Sequence, residues 1–505
     1  MRGVHSVVDD IRKQVFTEVA RLAYEGGNYT RIDMIPYKIV PGFEGHNAQD
    51  VFRERAVVTE RLRLACGLPF RTADKYAPAS LGIQEAAQPE KYYEPPLINV
   101  ISFACNACPV NEMRISSNCQ GCLSRPCKSV CPKDAIYIDK NGRSRIDQEK
   151  CIKCGRCEAE CPYEAISHIE RPCAKACGMD AIGSDERGRA MIDYDKCTSC
   201  GQCLVNCPFG AIADKSQIFQ LIQAIKEGDE IIAVVAPSII GQFGPDCTPR
   251  KLQKAMRILG FSRVVEVAIG ADICTVEEAK DFLEHVPEKQ PFMATSCCPA
   301  WSVMAKKLFP EYADCISMTM TPMVLTARMV KEKYPKSRIV FVGPCAAKKL
   351  EAARRTIRSD VDFVLTYEEL QGMFEAKEID WKNIVPDERD KDFVNSTAAG
   401  YGFAVNGGVA AAVADVISQI APEREVKIDS ANGLRECRKM LTLAKAGKRN
   451  GYLLEGMACP GGCVAGAGTL LSVELASKVV GKYQSEAEAA SPLESAYRDE
   501  GEKLD

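Results

Sequence analysis

Cysteine could carry most of the chemistry of this sequence, because 26 of its 505 residues are cysteine and only four are histidine. Two runs share the pattern C-x2-C-x2-C-x3-C-P: Cys151, Cys154, Cys157 and Cys161, and then Cys197, Cys200, Cys203 and Cys207. Three thiolates on one tight loop can bind one face of a 4Fe–4S cluster, and the cysteine before proline reaches a second cluster. Zinc is the alternative, but scarce histidine disfavours mixed zinc sites. The spacing therefore predicts iron–sulfur clusters.

An internal repeat accounts for the other cysteines of this region. The segment RPCKSVCPKDAI recurs 46 residues later as RPCAKACGMDAI, so that Cys127 matches Cys173 and Cys131 matches Cys177. The region resembles tandem bacterial-type ferredoxin modules, and the count predicts four ligand sets. These sets are Cys119, Cys122, Cys127 and Cys161; Cys131, Cys151, Cys154 and Cys157; Cys177, Cys197, Cys200 and Cys203; and Cys105, Cys108, Cys173 and Cys207. The last set rests on elimination, and three clusters remain if it fails. Several clusters in one region predict an electron-transfer chain.

Five further cysteines lie in three short segments: TSCCPAW (295–301), VGPCAAKKLEA (342–352) and EGMACPGGCVAGAG (455–468). They are Cys297, Cys298, Cys345, Cys459 and Cys463. Four of these thiols could hold one more cubane. One thiol is then surplus, and it is either one of the adjacent pair or a separate functional thiol. No P-loop and no G-x-G-x-x-G fingerprint is present, so the sequence indicates no nucleotide site.

The elements that would position these thiols are strands of a parallel sheet. Apolar, β-branched runs at 230–238, 262–272, 291–298, 337–345 and 362–367 alternate with helical segments. This alternation predicts an α/β domain with a largely parallel sheet flanked by helices. Two of the runs lead straight into the cysteines of the first two segments. In such sheets ligands bind in the crevice beyond the carboxyl ends of the strands, so the thiols stand where a site is expected.

Composition limits the partners and the location of the chain. The net charge of −3 indicates no nucleic-acid partner, and no apolar run is long enough for a membrane span. The charged start indicates an amphipathic helix and not a signal peptide, so we expect a cytoplasmic protein. We predict a helical region over 1–100, an α+β tandem ferredoxin-like domain over 101–214, a catalytic domain over 215–481, and a polar tail over 482–505 that frays. Within 348–358 we expect an exposed basic helix face, apart from Lys348.

The three cysteine segments resemble the three signature motifs of iron–iron hydrogenases, and the likeness covers roughly 230–480. The ferredoxin-like modules fit the accessory-cluster domain of the same family. The resemblance implies an H-cluster in the crevice, which is a 4Fe–4S cubane joined to a two-iron subsite with CO, cyanide and azadithiolate ligands. It implies the reversible reaction of two protons and two electrons to H2. It also implies a ferredoxin-like redox partner, hydrogenase maturation proteins and a role in anaerobic metabolism.

The resemblance also assigns roles to matching residues. Cys298, Cys345, Cys459 and Cys463 would hold the cubane, with Cys463 bridging to the two-iron subsite. Cys297 would be the last proton carrier, and Lys348 would donate to a cyanide ligand. Pro237, Ser238 and Met457 would line the subsite. Protons would arrive through Glu278, Asp281 and Ser317, although Asp281 is one methylene shorter than the glutamate usual in the family.

Several positions depart from the usual motifs. Gly343 replaces a methionine that shields the subsite, and Ala300 replaces a glycine. These changes resemble a divergent, group B-like branch of the family. Two other interpretations stay open: a hydrogen or redox sensor with the same cofactor, and a non-catalytic iron–sulfur protein related to cluster-assembly factors. The second would not need Cys297 or Lys348. The isolated cysteines, which are Cys66, Cys247, Cys274, Cys315 and Cys437, are expected to be buried structural thiols.

Overall fold

The computed structural model describes residues 5–46, 50–72, 74–90, 95–353, 359–390 and 396–498. The N-terminal region is helical, as predicted. Its helices are α1 (Val7–Glu25), α2 (Ile35–Ile39), α3 (Val51–Ala65) and α4 (Ile83–Ala86). Helix α1 begins with a capping box, because the Ser6 side chain accepts from the Asp9 amide and the Asp9 carboxylate accepts from the Ser6 amide. Val15, Phe16 and Val19 of α1 are buried in the core of the catalytic domain.

The ferredoxin-like region consists of short strands and single-turn helices around the cysteine loops. The strands are β1 (Ile98–Val100), β2 (Asn111–Ile115), β3 (Ile136–Ile138), β4 (Ser144–Ile146), β5 (Ile166–Glu170), β6 (Ile182–Ser184), β7 (Ala190–Ile192) and β8 (Ile212–Asp214). The helices are α5 (Pro126–Ser129), α6 (Arg156–Ala159), α7 (Pro172–Lys175) and α8 (Gln202–Val205). The strands pair antiparallel as β1–β8, β2–β5, β3–β4 and β6–β7. The predicted α+β character is confirmed.

The region from residue 231 to residue 457 holds two parallel sheets. Its strands are β9 (Ile231–Val235), β10 (Arg263–Glu266), β11 (Phe292–Ala294), β12 (Arg338–Gly343), β13 (Phe363–Thr366), β14 (Lys427–Asn432) and β15 (Tyr452–Met457). They are ordered β10-β9-β12-β13 in one sheet and β11-β15-β14 in the other, and all pairs are parallel. The predicted α/β fold with parallel sheets is confirmed.

Helices surround these two sheets. They are α9 (Ile218–Glu227), α10 (Pro249–Leu259), α11 (Ala268–His285), α12 (Pro299–Leu308), α13 (Pro322–Lys333), α14 (Ala346–Ala352), α15 (Tyr367–Ala376), α16 (Ala398–Gly402), α17 (Gly408–Ile420), α18 (Leu434–Lys445) and α19 (Val473–Ser485). Among the described helices, none is long and apolar enough to cross a membrane.

Two local predictions need correction. The apolar run 262–272 is a strand only as far as Glu266, and α11 begins at Ala268. The tail does not fray up to residue 498. Pro492 and Ser495 are buried, and Leu493 packs against the core that contains Phe282. A capping box between Ser491 and Glu494 fixes this turn.

A buried ionic network joins the three regions of the chain. Lys349 is fully buried, and its Nζ donates to Asp214 Oδ2 at 3.0 Å, to the Lys215 carbonyl at 2.7 Å and to Glu369 Oε1 at 2.7 Å. Arg12 of α1 pairs with Glu368 and lies 3.8 Å from Asp214. Lys349 thus corrects the expected exposed basic face, of which residues 354–358 lie outside the described residues. The network fixes α14, the helix that follows Cys345, to strand β8 and helix α15.

Candidate metal centre

The five cysteines of the three segments meet around one cavity of about 80 Å³ between the two parallel sheets. Cys297 and Cys298 follow β11, and Cys298 precedes the first turn of α12. Cys345 follows β12 and precedes α14, while Cys459 and Cys463 follow β15. All five therefore lie beyond the carboxyl ends of parallel strands, where the sequence predicted a site.

The rest of the cavity wall is mostly apolar. It includes the predicted residues Pro237, Ser238 and Met457 and also Phe341, which the sequence analysis missed. Burial raises the pKa of Cys345 to about 11 and that of Cys463 to about 12. Without a metal these thiols stay protonated, so cluster binding at this site would release protons.

Lys348 brings a cation into this apolar cavity. It lies on α14 and is buried, and its Nζ is 2.6 Å from Glu351 Oε2. Although burial opposes the charged form, Glu351 raises the pKa of Lys348 overall, so the ammonium stays charged. Among the described residues no aligned acceptor satisfies this ammonium group. A buried cation with free donors beside a cavity suits an anionic group bound there.

Cys297 lines the cavity and has two carboxyl groups, Glu278 and Glu455, in its electrostatic surroundings. Burial raises the pKa of Cys297 well above its usual range, and Glu278 and Glu455 add to that rise. Burial also raises the pKa of Glu278 to about 7. Hydrogen bonds from the Ser296 amide, which lies 3.4 Å from Oε1, and from the Ser317 side chain oppose this rise. Oε2 of Glu278 makes no aligned hydrogen bond within the described part of the chain. Cys297 is therefore a protonated thiol under the influence of a carboxyl group that can change its charge near neutral pH.

Asp281 reaches this group through a residue that the sequence analysis missed. Asp281 Oδ2 accepts from Thr319 Oγ1 at 3.2 Å, and the amide of Thr319 donates to Ser317 Oγ at 3.2 Å. Thr319 thus spans the gap left by the shorter side chain of Asp281. No motif in the sequence pointed to Thr319, because it lies two residues beyond Ser317 and on a different segment from Asp281.

Glu455 is a second missed residue, and it acts electrostatically on Cys297. It is fully buried, and its carboxylate oxygens accept from the amides of Gly407 and Ala410 at 2.7 and 2.8 Å, at the start of α17. Burial raises its pKa, and those amide hydrogen bonds oppose the rise. The signal available in the sequence was a charged residue inside the apolar strand YLLEGM.

The structure also accounts for Gly343 and Trp301. A Cβ atom on Gly343 would overlap the ring of Phe341, which therefore fills the space beside residue 343 and lines the cavity. Trp301 is fully buried, packs against Gly456 and donates from Nε1 to the Thr295 carbonyl at 3.0 Å. That contact fixes the loop that carries Cys297 and Cys298.

Three of the four predicted accessory ligand sets each line their own cavity. The inner site has Cys177, Cys197, Cys200 and Cys203; the medial site has Cys105, Cys108, Cys173 and Cys207; and one outer site has Cys131, Cys151, Cys154 and Cys157. In the second outer set, Cys127 and Cys161 pack in one apolar cluster. The set predicted by elimination is thus brought together like the other two.

The spacing of these thiols decides what could bind between them. Among the described residues no three His, Cys, Asp or Glu side chains converge tightly enough to hold a single ion. Four thiols around a cavity suit a cluster of several atoms better than one zinc ion, which needs its ligands within about 2.3 Å. Two backbone amides also donate to thiols in each of the three cavities: those of Ala181 and Ser199, of Ala190 and Ala211, and of Ala135 and Lys153.

The sites follow one another from the central cavity outward. Inner-site Cys177, Cys197 and Cys200 share an apolar cluster with Cys298 and Cys345 of the central cavity. Cys173 of the medial site shares the next apolar cluster with Cys203 of the inner site. Cys154 of the outer site is exposed to solvent. A series of thiol sites therefore leads from the central cavity through the inner site to the medial site.

Family comparisons agree with this architecture. Residues 229–467 match the family model described as the iron-only hydrogenase large subunit, C-terminal domain. Residues 190–213 match a 4Fe–4S binding domain, and residues 116–171 match the LdpA Fe–S cluster-binding domain.

Individual relatives fall into two groups. Iron hydrogenase 1 of Clostridium pasteurianum is 28% identical over 74% of this chain and 73% of its own length. The periplasmic iron hydrogenase large subunit of Nitratidesulfovibrio vulgaris is 29% identical over 65% of this chain and 87% of its own length. A probable cytosolic Fe–S cluster assembly factor of Aedes aegypti is 30% identical over 44% of this chain and 57% of its own length.

A solved hydrogenase structure from Chlamydomonas reinhardtii is 23% identical, covers 55% of this chain and 93% of its own, and has a TM-score of 0.46. The domain match and the two hydrogenase relatives agree with the resemblance carried by the three cysteine segments. By these matches, residues 229–467 are similar to the C-terminal domain of the iron-only hydrogenase large subunit, and residues 190–213 before them are similar to a 4Fe–4S binding domain.

Proposed function

We propose that this chain is an iron–iron hydrogenase that interconverts protons, electrons and H2 at an H-cluster in the central cavity. The observation that carries the proposal is the combination of five thiols and one incompletely satisfied ammonium group around a single apolar cavity. A plain cubane needs four thiolates and no buried cation. The fifth thiol and Lys348 therefore need a further reason to be there.

The surroundings of the adjacent cysteines support a division of roles. The Cys298 thiol is buried, which raises its pKa, but amide hydrogen bonds from Ala458 and Trp301 and the charge of Lys348 favour its thiolate form. Cys297 faces Glu278 and Glu455, which disfavour a thiolate. A metal ligand must be a thiolate, whereas a proton carrier must hold its proton. We therefore assign Cys298 to the cubane, with Cys345, Cys459 and Cys463, and Cys297 to proton transfer.

Lys348 would bind an anionic ligand of the two-iron subsite, and its charged ammonium suits a cyanide. The bound H-cluster supplies the redox chemistry and the site at which protons and electrons combine. Pro237, Ser238, Met457 and Phe341 would surround this subsite with apolar surface and limit the access of water. The departures at Gly343 and Ala300, together with identities near 28%, support a divergent branch of the family.

The route for protons would lead from Asp281, which is half-buried, past the hydroxyl groups of Thr319 and Ser317 to Glu278 and Cys297. The amide of Thr319 would hold Ser317 in place and carry no proton itself. A carboxyl group whose pKa is about 7 can both accept and release a proton near neutral pH. Electrons would come from a ferredoxin-like partner and pass the outer, medial and inner sites. Maturation proteins would supply the two-iron subsite.

The test is to mature the full chain with the two-iron cofactor and record infrared spectra and H2 formation with reduced viologen. We expect CO and cyanide bands together with H2. The control is the same chain with its iron–sulfur clusters alone, which should show neither. A matured chain without bands and without H2 would overturn the proposal.

The similarity to the cluster-assembly factor favours a second candidate, a non-catalytic iron–sulfur protein. The same infrared experiment separates the two, since a protein that binds only cubanes has no CO or cyanide bands.

A further inference from the structure

The arginine that opens each ferredoxin-like repeat has very different surroundings in the two copies. Arg171 is 3% exposed. It donates to the Cys108 carbonyl from Nε at 3.0 Å and from Nη2 at 2.7 Å, to Gly183 from Nη1 at 2.9 Å and to Gly188 from Nη2 at 2.6 Å. Its counterpart Arg125 is half-buried and makes no side-chain hydrogen bond to the described residues. Only the second repeat therefore clamps its cysteine loop with a guanidinium group.

The clamp brings a charge that no neighbouring acid cancels. All four hydrogen bonds of Arg171 go to neutral carbonyls, and within the described ranges no carboxylate lies within ion-pair distance of it. Burial raises the pKa of Cys173 to about 11, and the neighbouring Cys207 adds a smaller rise. The positive charge of Arg171 opposes both. Arg171 thus acts electrostatically on the medial-site thiols as well as through the loop.

A second buried guanidinium approaches the same site from the N-terminal region. Arg61 of α3 is buried and donates to the Gly210 carbonyl, three residues after Cys207. Burial and the repulsion of Arg12 lower the pKa of Arg61 to about 10, and Cys207 acts in the opposite direction. The medial site therefore lies between two buried cations on different elements.

Amide hydrogen bonds, which also influence a cluster potential, are similar between the three cavity-forming sites. Each has two amide donors to its thiols, at 3.3 or 3.4 Å in every case. At the inner site the cation Lys307 is exposed and donates to the Cys197 carbonyl at 3.4 Å. Solvent and salt screen an exposed charge far more than a buried one. Buried positive charge is thus what distinguishes the medial site.

We propose that Arg171, assisted by Arg61, gives the medial cluster the highest reduction potential of the accessory clusters. The inference rests on the proposed cluster at Cys105, Cys108, Cys173 and Cys207. One-electron reduction adds one negative charge to a cluster held by four thiolates, and a buried cation nearby favours that reduced form. The electron comes from a neighbouring cluster and later leaves for the next, with no proton or bond exchanged. The medial site then holds an electron between the surface and the inner site.

The experiment is a potentiometric titration of the full chain, loaded with its cubanes and followed by electron paramagnetic resonance. The Cys108→Ala variant identifies the medial signal by its loss. Arg171→Gln should lower the midpoint potential of that signal alone. Arg171→Lys keeps the positive charge, so its midpoint should lie close to that of the unchanged chain. Arg125→Gln is the matched control in the first repeat and should change no midpoint. An unchanged medial midpoint in Arg171→Gln, with all clusters present, would overturn the inference.

Two further outcomes keep the test decisive. If Arg171→Gln loses the medial cluster, Arg171→Lys decides: a midpoint near that of the unchanged chain supports the role of charge, and a clearly lowered one contradicts it. If the unchanged chain binds only about twelve accessory irons and Cys108→Ala removes no signal, the proposed medial cluster is wrong. That result contradicts the ligand assignment, whereas an unmoved midpoint contradicts only the role of Arg171.

Discussion

The two ferredoxin-like repeats share one cysteine pattern but face opposite environments. In the first repeat Cys154 is exposed, and Ile152 beside it is 56% exposed. In the second, the equivalent Cys200 lies against the central cavity, where burial raises its pKa to about 12. Thr198, the counterpart of Ile152, is only 5% exposed. The same loop is therefore exposed to solvent in the first repeat and buried against the central cavity in the second.

The two repeats share the cysteine motif, and the packing decides which of them lies against the central cavity. Gly155 of the first repeat has open space around it, but a Cβ on its counterpart Gly201 would overlap Ala467. Arg156 is exposed, whereas its counterpart Gln202 is buried and donates to the Ala465 carbonyl at 3.4 Å. These exchanges dock the second repeat onto the glycine-rich segment after Cys463. The first repeat is left to meet the proposed redox partner.

The largest expected effect comes from removing Cys297, the thiol that we propose as the proton carrier at the central cavity. Cys297→Ala should lower H2 turnover by about 100-fold or more, since a positioned proton carrier contributes about 10²–10⁴-fold. The CO and cyanide bands of the matured chain should persist, because Cys297 is not a cluster ligand in this proposal. The control is Cys274→Ala, a buried thiol of α11 near Glu278 that has no assigned role. Normal turnover in Cys297→Ala would remove its relay role.

The next largest effect concerns the ionic network that holds the second repeat in place. Lys349→Met should destabilise the chain by about 3–5 kcal/mol, because it leaves the buried Glu369 without its cation and Asp214 with Arg12 alone, at 3.8 Å. The measurement is thermal unfolding of the cluster-loaded chain. In the first repeat, Arg145→Met breaks the exposed pair with Asp139 and should change unfolding very little. Equal effects of the two substitutions would contradict the contrast between the repeats.

The pH dependence of stability should also come from the buried carboxyl groups near the central cavity. Burial raises the pKa of Glu278 from 4.5 to about 7, so the folded chain binds this proton more tightly than the unfolded chain. The resulting stabilisation is fully present below pH 4.5 and is lost as pH rises through 7. Glu278→Gln should therefore gain stability relative to the unchanged chain between these values, by about 3 kcal/mol at most. Parallel unfolding curves across this range would show that Glu278 ionises normally.

Most of the site could be predicted from the sequence because it depends on local spacing. A C-x2-C loop fixes the distance between its own thiols, and the repeat carries that arrangement to a second copy. The division into domains stays a prediction. The strand predicted over 262–272 is too long, because α11 begins at Ala268. This helix has no side-chain cap, so no cap residue in the sequence marks the change from strand to helix.

The missed residues act through contacts between distant segments. Thr319 meets Asp281, Lys349 meets Asp214, and Phe341 covers Gly343 only because the strand places both on one face. Arg171 and Arg125 share the same RPC motif, yet only one is buried. A single sequence cannot separate such copies, because Arg171 is held by the carbonyls of Cys108, Gly183 and Gly188, which lie outside the shared motif.

The smallest predicted effect is also the most closely matched comparison of the repeats. Gly155 and Gly201 have φ angles of 76° and 78°, so an alanine at either position carries the same backbone cost of roughly 1 kcal/mol. Only Gly201→Ala also forces a methyl group into Ala467, which should add about 1–3 kcal/mol. Thermal unfolding of both variants measures the difference, and equal losses would contradict a tight interface at Gly201. Because the backbone cost cancels, the remaining difference in stability measures the packing of the second repeat against the central cavity.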